Sequence, residues 1–140
     1  MSQVIIYRHD DGTVGMIKSF SKTKTLQQVA DERFDDGDVY QFMDEAVLPS
    51  AIFFDAWMYG PTITIDFDKA KDVAHYQRRI ARDMEMKPYD DIVSKQIPGE
   101  VEAAEAQRVL IRTKYATKQT EIDACTTVEQ LQTIIEGMVS

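Results

Sequence analysis

Two periods run along this chain, and they change over at Asp66. Before it, apolar residues come in short runs or alternate with polar ones; after it, they recur at three- and four-residue spacing. Val4 to Arg8 is apolar and β-branched, Asp10-Asp11-Gly12 supplies turn chemistry, and Val14, Met16 and Ile17 resume the apolar pattern. Asp-Gly between two β-prone runs signals a hairpin, because glycine tolerates positive φ, and predicts strands near 3–8 and 13–19. Leu26, Val29, Ala30 and Phe34 share one helical face behind a Thr25/Gln28 capping box, which predicts a short helix. That helix ends in the acidic turn Asp35-Asp36-Gly37-Asp38, which lacks the remaining ligands of a calcium loop. Val39 to Met43 reads as a strand. Ile52 to Met58, the most aromatic segment, fits either a strand or a short helical turn. Gly60-Pro61 marks a turn, and Thr62 to Ile65 alternates as a last strand.

Asp66 is placed to cap a helix, its carboxylate accepting from free amides of the first turn. Ala70, Val73, Ala74, Gln77, Ile80, Ala81 and Met84 then form a stripe at helical spacing. Pro88 is expected to stop this helix, since the residue before a proline disfavours the α region. Residues 100–124 predict a second helix of about 25 residues, or ~37 Å. Its apolar positions, Val101, Ala104, Ile111, Tyr115 and Ile122, make a thin stripe interrupted by Arg108 and Lys118, suited to one partner surface. Thr126 and Glu129 read as the capping box of a terminal helix that ends before Gly137. The pattern as a whole predicts an α+β fold. A small antiparallel sheet with a short helix fills residues 1–65, and a helical hairpin with a short terminal helix fills residues 66–140.

Composition narrows the partners. The chain has 140 residues, enough for one domain or a domain with an appendage. Its net charge of −8 opposes general nucleic-acid binding, because a phosphate backbone would be repelled. No run approaches the ~18 apolar residues of a membrane span, and the N-terminus lacks the pattern of a secretory leader. The expectation is a protein made and kept inside the cell, with neither nucleic acid nor membrane as partner. Cys125 is the one cysteine, which excludes an internal disulfide and fits a reducing compartment.

No catalytic constellation is visible. His9 and His75 have no metal-ligand spacing, and the glycines form neither a phosphate loop nor a dinucleotide fingerprint. No cofactor is implied, and the expectation is a non-enzyme. The suggestive residues are basic and aromatic. On a helix Arg78 and Arg82 are one turn apart, as are His75 and Arg79, so Arg78, Arg79 and Arg82 form a positive stripe on an acidic protein. Arginine forks suit phosphates and carboxylates, with Tyr76 packing at the edge. The competing expectation is simple ion pairing with neighbouring carboxylates. Trp57, among Phe53, Phe54 and Tyr59, is either core or an interface anchor.

The order of short motifs resembles a family of small bacteriophage and prophage proteins found among tail or virion genes. The matching residues are Tyr7-Arg8, Asp10-Asp11-Gly12 and Val14 to Ile17, then Pro49, Phe53-Phe54 and Ala56-Trp57. They continue with Ile65-Asp66-Phe67-Asp68-Lys69-Ala70, Arg79 and Arg82, and end with Thr126-Thr127-Val128-Glu129-Gln130-Leu131. The Ala-Trp, Asp and helical-hairpin layout is also loosely similar to tail-fibre assembly chaperones. The resemblance implies a phage accessory protein, a virion or tail component or a tail-assembly chaperone. It would act in the host cytoplasm or within the virion, through contacts with phage structural or assembly proteins and with further copies of itself. The alternative from the arginine stripe is a phage immune-evasion or regulatory protein that binds a small anionic ligand such as a nucleotide signal.

Overall fold

A computed structural model describes residues 2–19 and 22–139. The chain forms two compact units, residues 1–66 and 67–140.

In the first unit, β1 (Gln3–Arg8) and β2 (Val14–Ile17) form the expected hairpin. Gly12 takes φ 88°, and the Asp11 carboxylate accepts from the Thr13 amide at 2.9 Å and hydroxyl at 2.6 Å. These bonds hold the Asp11 carboxyl below its ordinary range. The helix α1 (Leu26–Arg33) starts at the Thr25/Gln28 capping box, with both reciprocal bonds present. The strand β3 (Tyr40–Asp44) pairs antiparallel with β1, so the sheet order is β2-β1-β3.

A central strand must be covered on both faces, and that explains why β1 is a run of apolar residues instead of an alternation. Val4, Ile5 and Ile6 are all buried. On one face Val4, Ile6 and Val14 pack with Trp57 and Ile63. On the other, Ile5 and Tyr7 stand opposite Ile17, Gly15, Phe42 and Tyr40. An aromatic row follows on that side. Tyr7 meets Phe34 at 5.2 Å, Phe34 stacks on Tyr40 at 4.6 Å, and Tyr40 meets Phe42 edge-on at 6.0 Å. The ambiguous aromatic segment resolves as a 3-10 turn, Ala51–Ala56, followed by β4 (Trp57–Met58), which pairs with β5 (Thr64–Ile65).

The second unit holds α2 (Phe67–Lys95), α3 (Val101–Ala124) and α4 (Val128–Val139), with α2 packed on both others. The buried non-polar positions of α2 are small, Ala70, Ala74 and Ala81; bulk comes from Ile111, Tyr115 and Ile122 of α3 and Leu131 and Ile135 of α4. The thin stripe of α3 is therefore consumed within the chain.

Three boundaries differ from expectation. Pro88 does not stop α2, which continues to Lys95. The carbonyl that proline leaves without a donor belongs to Met84, an exposed residue, so water can satisfy it. Beyond the proline, Asp90 is held by Arg108 of α3 at 2.9 Å. The capping box of α4 lies one residue later than expected: Thr127 and Gln130 exchange bonds of 3.2 and 3.3 Å. Finally, α4 runs through Gly137.

Candidate functional site

Trp57 belongs to the first unit and is core. It is 5% exposed, its Nε1–H donates to the Ser50 carbonyl at 3.2 Å, and its ring packs on Phe54 at 4.9 Å. It offers no surface to a partner. The other four candidates lie on α2 in the second unit and have different environments. Tyr76 is 56% exposed. Arg79 is exposed, and its side chain makes no hydrogen bond or ion pair among the described residues. Arg82 donates to Asp83 at 3.1 Å, a surface pair of the kind worth only ~0–1 kcal/mol.

Arg78 is the exception. It is 8% exposed, the one buried charged residue among those described. A buried guanidinium normally faces a carboxylate. Here its Nε–H donates at 3.3 Å to Nδ1 of His75, one helical turn back, while Nε2 of His75 lies 2.8 Å from Oδ1 of Asp123 on α3. In this arrangement Nδ1 serves as the acceptor for Arg78 and Nε2 faces the Asp123 carboxylate. Lys71 donates to the Asp123 carbonyl at 3.0 Å. The chain Asp123–His75–Arg78 thus orients the guanidinium without neutralising it. Burial, then repulsion from Arg79 and Arg82, push its pKa down, and Asp123 offsets this only in part.

A second surface was not foreseen. Ala103, Ala106, Leu110, Thr113, Thr117, Thr120 and Ala124 recur at alternating spacings of three and four, the heptad of a coiled-coil seam. All seven are exposed, Leu110 at 61%, and its neighbour Val109 at 55%. None is charged, although 29% of the chain is, so this is no ordinary solvated face. The hydroxyls of Thr113, Thr117 and Thr120 bond back to the carbonyls of Val109, Thr113 and Ala116 at 3.1–3.2 Å. Their donors are spent inside the helix, and the seam presents methyl groups along about 32 Å. The signal was in the sequence, as the 3-4 spacing of alanine and threonine.

Cys125 is buried, its thiol donates to the Glu121 carbonyl at 3.3 Å, and burial pushes its pKa up, away from a thiolate nucleophile. Among the described residues no group of His, Cys, Asp and Glu could hold a metal ion, and no helix is long and apolar enough to cross a membrane. No protein-family model matches this chain, and no curated protein or solved structure matches it significantly.

Proposed function

We propose that this is a non-enzymatic accessory protein of a bacteriophage, a virion or tail component or a tail-assembly chaperone, which acts through protein–protein contacts and pairs first with a second copy of itself. The phage setting rests on the order of motifs from Tyr7 to Leu131. The contact surface rests on one observation, the uncharged heptad face of α3. An exposed seam of this length loses nothing by desolvation of charges and gains from burial of methyl groups.

Size complementarity favours a second copy as occupant. In an antiparallel two-fold arrangement centred near Thr113, Val109 and Leu110 of one copy fall opposite Ala116 and Thr117 of the other. The two-fold repeats this match of large on small, as an isologous interface requires. The test is native mass by light scattering across a concentration series, for wild type and Leu110→Glu. The reading expects a dimer that Leu110→Glu converts to a single chain without loss of helical circular dichroism. A wild type with the mass of one chain at every concentration sinks it.

A further inference from the structure

We propose that Arg78, Arg79 and Arg82 form a binding site for the phosphoryl group of a small molecule, with His75 and Asp123 as positioning residues behind Arg78. The site lies on α2 and is independent of the α3 seam.

The first argument is the state of Arg78. It is more than nine-tenths buried, yet the only hydrogen bond its side chain makes among the described residues is to the His75 ring. No carboxylate among the described residues bonds this guanidinium, and its terminal nitrogens are not sealed from solvent, so a dissolved anion can reach them. The second is support. The Asp123–His75–Arg78 chain, with contacts of 2.8 and 3.3 Å, fixes the guanidinium through Nε and leaves the two terminal nitrogens without a hydrogen bond among the described residues. Those two nitrogens form the fork that grips oxyanions. The third is convergence. Arg82 is one turn from Arg78 and Arg79 is three residues from Arg82; burial first, then repulsion from Arg79 and Arg82, lowers the Arg78 pKa.

The local anions do not fill the site. Asp123 is bonded to His75, and Asp83 holds Arg82 only by an exposed pair that a ligand can displace. Three guanidiniums match a phosphoryl group, with nearly two charges and three acceptor oxygens, better than a carboxylate, which one guanidinium satisfies.

The experiment is thermal unfolding with inorganic phosphate or adenosine monophosphate, against chloride at equal ionic strength. It uses wild type, Arg78→Met and Arg79→Gln/Arg82→Gln. The proposal expects both phosphates to raise the wild-type midpoint in a saturable way. The exposed double variant should bind at least about tenfold more weakly, the loss of roughly 1.4 kcal/mol. Arg78→Met should lose the shift while melting no lower than wild type without ligand. Identical midpoints in phosphate and chloride would overturn it, as would a shift that survives in both variants. So would a shift produced by a glutamate-rich peptide and by neither phosphate, which would assign the face to an acidic protein segment.

Discussion

Tyr7 of β1 lies directly across Gly15 of β2, its partner in the antiparallel register, and the ring occupies the space where a side chain at 15 would begin. A Cβ at that position would sit 2.6 Å from both ring Cε atoms, closer than packed carbons approach. Gly15 is buried under the ring, and the ring continues into the row through Phe34 and Tyr40. A glycine that weakens a strand by itself is here the floor for an aromatic side chain.

Gly15→Ala should therefore destabilise the protein by about 1–3 kcal/mol, the usual range for overpacking, despite alanine's lower backbone entropy cost. Urea denaturation checks this. In a Tyr7→Leu background the same substitution should cost much less, and additive costs in the double-mutant cycle would rule out the ring as the cause.

How far the sequence anticipated this molecule depends on which forces decide each feature. The Asp-Gly hairpin, the Thr25/Gln28 box and the change of period at Asp66 are local, and all were legible. The cap of α4 lies one residue beyond the expected one because Thr126 and Thr127 are adjacent, and only geometry selects Thr127 with Gln130. The arginine spacing was legible, but not that Arg78 turns inward onto His75, which depends on Asp123, distant in sequence. The α3 seam is faint in the sequence because its members are mostly alanine and threonine, whose methyl groups carry little of the hydrophobic signal of large side chains.

Pro88 shows the same limit with a measurable consequence. A proline inside a helix costs about 3 kcal/mol by propensity, yet α2 continues to Lys95, with the Asp90 carboxylate 2.9 Å from Arg108 of α3. Pro88→Ala should restore the hydrogen bond to the Met84 carbonyl and stabilise the protein by about 1–3 kcal/mol. A lower urea midpoint for this variant would mean that packing against α3 requires the proline's geometry.

Tyr115 supplies a pH dependence. It is buried and its hydroxyl engages Glu85; burial, then that contact, push its pKa from the ordinary 10.0 up to about 12. Its neutral form is favoured in the folded state, so its contribution is complete below pH 10.0, where both states keep the proton. Between 10.0 and about 12 the unfolded chain binds fewer protons, and stability falls as pH rises. Tyr59 is shifted in the same direction by burial. Tyr115→Phe should flatten, without abolishing, the fall in urea midpoint across that window. An unchanged slope would show that Tyr115 does not titrate late.

The end of α2 carries a correctable strain. Gln96 has φ 52°, in the left-handed region, and is the only non-glycine residue with positive φ among those described. The reason is the cap. Its amide bonds to the Val93 carbonyl at 3.2 Å and the Ile97 amide reaches the Ile92 carbonyl at 3.3 Å, the paired bonds of a Schellman motif. Glycine is the usual residue at that position because it has no Cβ to crowd the following carbonyl. Gln96→Gly should raise the unfolding midpoint by an amount worth about 0.5–1 kcal/mol, net of glycine's greater freedom in the unfolded chain. Gln96→Val, β-branched and worse suited to positive φ, should lower it. The opposite order of the two variants would show that the Gln96 side chain makes a contact worth more than the backbone strain.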